Sequence, residues 1–326
     1  MLIVIKRCVD TIFYYKIYGL RTASQLQLAD VERAEIPALS AGDTDVSILI
    51  GDVDVHMEEN PETVWLAQDW YYLALPDSFY MHCQGYDFEI TGGVQIKLGA
   101  NALYGEGTNL QTYILGSAFG VLCLQRGHLP IHGAAIKLSD GGAAILTGHA
   151  GAGKSATLDA FLSMGYRYIA DDVSVVKTGD AASVVIPAYP QRKLAAETAR
   201  ETGMHTDGYT LLHEDGREKY AIREIGEWAD EEAPLVSIVE LNAADRKDGA
   251  FYTPEARLVT GHGSLSIVLR NLYRQKFWES IGVPPVRMKQ LLKVTSETRI
   301  YQIYRPLQGF PVKETAELIR EKCFTS

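Results

Sequence analysis

Gly148-His149-Ala150-Gly151-Ala152-Gly153-Lys154-Ser155 fits the pattern G-x-x-x-x-G-K-[ST] without a mismatch. Each fixed position has a mechanical reason. Glycines let the backbone curl until successive N–H groups converge on phosphate oxygens. Lys154 sets a point charge against β- and γ-phosphates, and the Ser155 hydroxyl completes the shell of a magnesium ion. An apolar strand, Ala143–Thr147, leads in, and a helix over 154–164 leads out. The helix brings its positive dipole end to the same place. Gly148, His149, Ala150, Gly151, Ala152, Gly153, Lys154, Ser155 and Ala156 are therefore the expected nucleotide-binding residues.

Downstream, Gly165 stops the helix, and a strand over 168–170 runs into Asp171-Asp172 before 173–177 continues as a strand. Strand, loop, helix and strand in that order make a compact nucleotide-binding unit. Ligands collect at the carboxyl ends of such strands. One carboxylate there can hold a metal and a second can accept a proton from an attacking hydroxyl, so two adjacent acids can divide those tasks. Upstream, His132-Gly133 ends the apolar stretch Leu129-Pro130-Ile131, one strand before the phosphate loop, where contact with the site is allowed.

The flanks differ in character. Residues 1–105 are β-rich: 3–5, Val46–Ile50, 63–66, 71–75 and 88–98 carry β-branched and aromatic residues between turn signals such as Gly51, Pro61, Pro76-Asp77 and Gly92-Gly93. His56 and His82 stand isolated there and read as surface or packing histidines, so this half reads as a recognition or scaffold domain. Residues 106–326 form the second domain. A helix is expected over 109–126, capped by Thr108 or Asn109 and stopped by Gly127. A strand follows over 129–138. Further on, the patterns predict a helix over 193–202, a charged surface stretch over 213–234 and a strand over 235–241. Helices are expected over 264–278 and 286–294, then a strand, Arg299–Arg305, and a closing amphipathic helix, Val312–Cys323. The fold class is α/β: a phosphate-loop catalytic domain behind a β-rich N-terminal domain.

Composition narrows the partners. Among 326 residues, 31 Lys and Arg face 41 Asp and Glu, a net charge of −10. A dense basic surface is missing, which disfavours nucleic acid and anionic membranes. Cys8, Cys83, Cys123 and Cys323 have no metal or redox spacing and read as isolated thiols. The start, MLIVIKRCVD, is broken by Lys6 and Arg7 and reads as a strand, not an export signal. The longest apolar run, 113–124, is too short to span a bilayer. A cytoplasmic location is expected.

Taken together, His132-Gly133-Ala134-Ala135, the loop at 148–155 and Gly165-Tyr166-Arg167-Tyr168-Ile169-Ala170-Asp171-Asp172 resemble the catalytic domain of bacterial HPr kinase/phosphorylase. The likeness is clear over 128–178. It implies an HPr-kinase-like fold and an ATP- and Mg2+-dependent kinase acting on a serine hydroxyl. Lys154 and Ser155 would serve nucleotide and magnesium, Asp171 would be the base, Asp172 would help hold the metal, and His132 would support the aspartate. The chain is also similar to a divergent branch, the kinases that tailor lasso peptides, which implies the C-terminal serine of a precursor peptide as acceptor. Ring-shaped relatives make a homo-oligomer an expectation. The family's glycine- and arginine-containing loop is not legible, which leaves Arg217, Lys219, Arg223, Arg270 and Arg274 as candidates for a charge-stabilising arm. Competing readings are a serine kinase/phosphorylase on an HPr-like protein or small molecule, and a nucleotide-hydrolysing switch or transport module.

Overall fold

The computed structural model describes residues 11–38, 42–53, 56–103, 109–202, 204–214, 217–223, 227–243, 254–282, 285–305 and 312–324. The expected strand over 3–5, Cys8 and the Thr108 cap lie outside the described residues.

Eight strands form the first sheet: β1 (Phe13–Ile17), β2 (Leu20–Ser24), β3 (Val46–Ile50), β4 (Val64–Ala67), β5 (Trp70–Ala74), β6 (Ser78–Cys83), β7 (Tyr86–Thr91) and β8 (Gln95–Leu98). Their order is β1-β2-β3-β8-β7-β6-β5-β4. The pairs β2–β3 and β3–β8 are parallel and the others antiparallel. Strand alternation sends Phe79, Met81 and Cys83 of β6 and Tyr86, Phe88 and Ile90 of β7 to the buried face. Tyr18-Gly19 and Gln84-Gly85 join strands by two-residue loops with both residues at positive φ, the geometry that matches strand twist. The expected segment over 88–98 is two strands, because the chain folds back at Gly92-Gly93.

A buried helical segment separates this sheet from the second one. It runs through α1 (Asn109–Thr112), a π turn over Tyr113–Ala118, and α2 (Phe119–Gln125). The Gln125 amide donates to the Ile90 carbonyl at 2.9 Å, and the Tyr18 hydroxyl donates to the Leu115 carbonyl at 3.1 Å. One apolar cluster joins Tyr15, Ile48 and Phe88 of the first sheet, Phe119 of the helix, and Ile131, Val175 and Ile238 beyond it. The β-rich half and the half that carries the phosphate loop thus share a core.

The remaining elements are β9 (Leu129–Lys137), β10 (Ala143–Thr147), α3 (Lys154–Ser163), β11 (Arg167–Ala170), β12 (Val173–Thr178), β13 (Ser183–Ile186), β14 (Arg192–Ala195), α4 (Ala196–Thr202), β15 (Thr210–Glu214), β16 (Arg217–Ile222), β17 (Ala233–Ala243), β18 (Glu255–Val259), α5 (His262–Arg270), α6 (Gln275–Ser280), α7 (Pro285–Glu297), β19 (Arg299–Arg305) and α8 (Val312–Cys323). The second sheet has the order β10-β9-β12-β13-β17-β19-β18, with β11 also on β9; β10 pairs in parallel with β17, closing a ring. Period two again divides the faces. Ala134, Ile136, Leu146, Val239 and Ile303 meet Leu158 and Phe161 of α3 and Ala316 and Ile319 of α8. Their neighbours Ala135, Ile145, Ile238 and Ile300 belong to the shared core. Burial pushes the Cys123 and Cys323 thiols up to about 12. Among the described residues, no helix is long and apolar enough to cross a membrane.

Three expectations need correction. The helix predicted over 193–202 starts only at Ala196, because Arg192–Ala195 is strand β14. The charged stretch predicted over 213–234 contains β16, the central strand of a third sheet ordered β14-β16-β15. Its apolar anchors, Tyr220 and Ile222, pack with Leu194 and Ala199, and the charges at 217–219 mask that alternation. The helix predicted over 264–278 is two helices, broken before Gln275 where Arg274 takes φ 51°.

Candidate functional site

The phosphate loop leaves β10 after Thr147 and enters α3 at Lys154. Gly148, Gly151 and Gly153 have φ of 135°, 84° and 98°, conformations that L side chains rarely adopt. A Cβ on Gly148 would lie 2.5 Å from the Leu241 carbonyl oxygen, so this turn also needs glycine for room. Gly153 is the N-cap of α3 and supplies no side-chain cap, which leaves the first-turn N–H groups for a ligand. The Lys154 ammonium bridges the loop, donating to the Gly148 carbonyl at 2.8 Å and the His149 carbonyl at 3.2 Å. Burial pulls it down to about 8. Arg305, at the end of β19, donates to the Ala152 and Gly151 carbonyls at 3.0 Å each and ties the loop to the sheet.

The aspartate pair forms the turn between β11 and β12. Asp172 sits at φ 68°, an unusual conformation for a residue with a Cβ. Its carbonyl accepts the Gly133 N–H at 3.0 Å and lies 3.2 Å from His132 Nδ1. Asp171 accepts the Asp172 N–H at 2.9 Å through Oδ1 and the Lys193 N–H at 2.6 Å through Oδ2. The Lys193 ammonium donates to Asp172 Oδ2 at 2.9 Å, and Asp172 Oδ1 lies 3.6 Å from His132 Nδ1. Lys193 therefore grips both acids, one through its backbone and one through its charge.

The two carboxyls sit in opposed environments. Burial alone would raise Asp172, but Lys193, His132 and Lys219 overcome it and hold the group well below the usual carboxylate range. Burial pushes Asp171 upward, against the N–H of Lys193. Burial also lowers the His132 imidazole, against the pull of Asp172.

His132 is held by its backbone. Its N–H donates to the Asn271 carbonyl at 2.8 Å, and its carbonyl accepts the Thr147 hydroxyl at 2.7 Å. Gly133 is required by the β9–β10 pairing, since a Cβ there would meet the Leu146 carbonyl oxygen at 2.3 Å. Glu240 of β17, opposite Thr147 in the parallel register, accepts Arg270 Nε and the Asn271 amide at 2.7 Å each and the Gln302 amide at 2.9 Å. Burial opposes its charge, yet these bonds hold it down at about 2.

The third sheet approaches the loop through Arg217. Lys193 stands opposite Ala221 in the β14–β16 register, and alternation places Arg217, Lys219, Ala221 and Lys193 on one face. Arg217 reaches the loop: a Cβ on Gly151 would lie 3.7 Å from Arg217 Nη2. Lys219 acts electrostatically on Lys154, His132 and Asp172. The buried Arg192 bonds Asp159 of α3 and, at 3.2 Å, Glu227, fastening β14 to the phosphate-loop helix.

The other sequence candidates lie elsewhere. Arg223 donates to the Thr210 hydroxyl at 2.7 Å on the third sheet, Arg270 is engaged by Glu240, and Arg274 lies over the Trp70 ring at 4.6 Å. His82 sits between Asp87 and Asp69 at 2.7 and 2.8 Å and stacks on Tyr71. Lys193, Arg305 and Glu240 were not singled out by the sequence.

The loop fits a nucleotide triphosphate: three positive-φ glycines and an uncapped helix start face one lysine. Among the described residues, no group of three His, Cys, Asp or Glu side chains is arranged to hold a metal ion. The Ser155 hydroxyl and the Asp172 carboxylate have the donor chemistry magnesium takes, since that ion is commonly held by few protein oxygens and completes its octahedron with waters and substrate phosphates.

No family model matches the chain, and no curated protein matches it. Among solved structures it is similar to the Hpr(Ser) kinase/phosphatase from Coxiella burnetii, over 59% of this chain and 97% of that one, at 13% identity and a TM-score of 0.30.

Proposed function

We propose that this chain is an ATP- and Mg2+-dependent kinase that phosphorylates a serine hydroxyl. The observation that carries this reading is the meeting of the phosphate loop, the Asp171-Asp172 turn, His132 and four cations around one centre. Bound ATP supplies the phosphoryl group, and Mg2+ neutralises charge on its phosphates. The loop N–H groups and Lys154 hold the phosphates, with Arg217 and Lys219 adding charge from above. Ser155 and Asp172 would hold the metal, and Asp172 is suited to that task because its cationic neighbours keep it ionised. Asp171 takes the serine proton as the bond from serine Oγ to the γ-phosphorus forms and the bond from that phosphorus to the β,γ-bridging oxygen breaks, leaving ADP. Each of its oxygens accepts one N–H and keeps a second lone pair for that proton. His132 donates from Nδ1 to the Asp172 carbonyl, which can only accept, and so fixes the turn.

For the acceptor we assign the C-terminal serine of a ribosomal precursor peptide. The overall pattern, a β-rich N-terminal part ahead of the three motifs, is similar to that of the lasso-peptide kinases and supports it. A physical point does too: a terminal serine carries a carboxylate beside its hydroxyl, and the cationic face of β16 offers Arg217 and Lys219 to hold it.

Intact-mass measurement after incubation with ATP, Mg2+ and peptides ending in serine tests the reading, with amidated and one-residue-extended peptides beside them. One added phosphoryl group on the free-acid peptide is expected, with loss on amidation or extension. Lys154→Ala removes turnover and about 2–5 kcal/mol of nucleotide binding. Hydrolysis of ATP with no modified peptide would overturn the kinase assignment in favour of a switch.

A further inference from the structure

The Asp172 carboxylate, assigned above to the metal, is already engaged. Oδ2 receives the Lys193 ammonium at 2.9 Å, and Oδ1 faces His132 Nδ1 at 3.6 Å. Lys193 is 8% exposed, so water screens this pair little. The surrounding charge also disfavours a bare cation, because Lys154, Lys193, Lys219 and Arg217 outnumber Asp171 and Asp172 by two. A divalent ion entering alone would meet that excess, would have to take Oδ2 from Lys193, and would find no third acidic side chain among the described residues. A nucleotide triphosphate changes each of these conditions. It supplies phosphate oxygens for the ion and a negative partner for the ammonium.

Lys193 is built to change partner without moving its strand. Its backbone is pinned by the β14–β16 register and by its N–H bond to Asp171. Its four-carbon stem contains rotatable bonds, and it shares a face with Lys219 and with Arg217, whose Nη2 lies beside Gly151 of the phosphate loop. We infer that Lys193 is a counter-ion to Asp172 that keeps divalent metal out of the site until a nucleotide draws the ammonium away, so that metal enters only together with nucleotide. This rests on the proposed nucleotide site, and it makes Lys193 a positioning residue coupling two ligands.

Mn2+ titrated into the full-length, nucleotide-free protein and followed by electron paramagnetic resonance is the test. Wild-type protein binds it weakly. Lys193→Met binds it at least about tenfold more tightly, since one fixed positive charge within a few ångströms of a divalent ion is removed. Lys193→Gln gives the same gain and serves if the methionine variant does not fold. Lys193→Arg, which keeps the charge, behaves as wild type, and Lys193→Met combined with Asp172→Asn loses the gain. Tight Mn2+ binding by wild-type protein alone, or equal affinities in wild type and Lys193→Met, would overturn the inference. A fluorescent ATP analogue titrated without metal keeps the two readings apart. If the analogue binds while Mn2+ affinity ignores Lys193, only the counter-ion role fails. If the analogue does not bind wild-type protein, the nucleotide site itself fails.

Discussion

Glu240→Gln probes the network behind the phosphate loop. The Glu240 side chain is 4% exposed and is surrounded by donors: Arg270 Nε and the Asn271 amide on Oε1, and Arg270 Nη2 and the Gln302 amide on Oε2. A glutamine has the same shape but turns one oxygen into an NH2 group, which must then face N–H donors. At least two bonds are lost, and Arg270 loses its counter-charge. Hydrogen bonds to charged groups contribute about 1.5–3 kcal/mol each, and the Arg270 end of the pair is half exposed, so water limits the loss to about 3 kcal/mol. With about 2–4 °C of Tm per kcal/mol for larger domains, a fall of roughly 6–12 °C is expected in a thermal melt. The change also reaches the site. Asn271, held by Glu240, accepts the His132 N–H, and Thr147, opposite Glu240, donates to the His132 carbonyl. Turnover should fall, while nucleotide affinity, set by Lys154 and the loop, changes little. A melt within about 2 °C of wild type, together with unaltered turnover, would show that the network does not hold His132.

Three further outcomes are expected. Gly133→Ala puts a Cβ 2.3 Å from the Leu146 carbonyl oxygen, where only backbone can yield; about 1–3 kcal/mol should be lost as a lower urea midpoint with unchanged slope. Asp171→Asn should spare nucleotide binding and lower kcat by about 10²–10⁴-fold, whereas Asp172→Asn should raise the Mg2+ requirement; identical Mg2+ titrations for the two variants would refute the division of labour. For His82, burial opposes charge, but hydrogen bonds to Asp87 and Asp69 outweigh it and raise the imidazole above its ordinary value. The stabilisation is then complete below about pH 6.5 and is lost as pH rises through the raised folded value. Melts across that range should show a slope that His82→Gln removes, and a slope surviving the substitution would sink the assignment.

Elements with a self-contained signal were legible in the sequence. Strand Ala143–Thr147 is an apolar run closed by Gly142 and Gly148, and strand Arg299–Arg305 and helix Val312–Cys323 have the expected limits. Strands Phe13–Ile17 and Leu20–Ser24 were not singled out, although the turn at Tyr18-Gly19 between them could have revealed the hairpin. The stretch from Arg192 misled for a different reason. Its Lys, Leu, Ala and Glu residues are good helix formers, and that preference holds only from Ala196. Before it, pairing with β16 and the demand of Asp171 for the Lys193 N–H favour strand, so tertiary contacts override local propensity.

The same contrast runs through the site. His132, the residues of 148–155 and the two aspartates lie in short motifs, and the backbone brings each set to its place by local turns. Arg305 is 153 residues from the Ala152 carbonyl it holds, and Glu240 meets Thr147 only because β17 runs parallel to β10. Lys193 was hidden twice. It lay at the start of a segment expected to be helical, which hid its pairing with β16, and its charge was one of 31 in a chain of net −10. Overall charge describes the surface seen from a distance. The field inside a cleft depends on which charges the topology gathers, and here Lys154 comes from the start of α3, Lys193 from β14, and Lys219 and Arg217 from β16. An acidic chain can therefore build a cationic centre around two aspartates, and the phosphates of the proposed nucleotide would balance it.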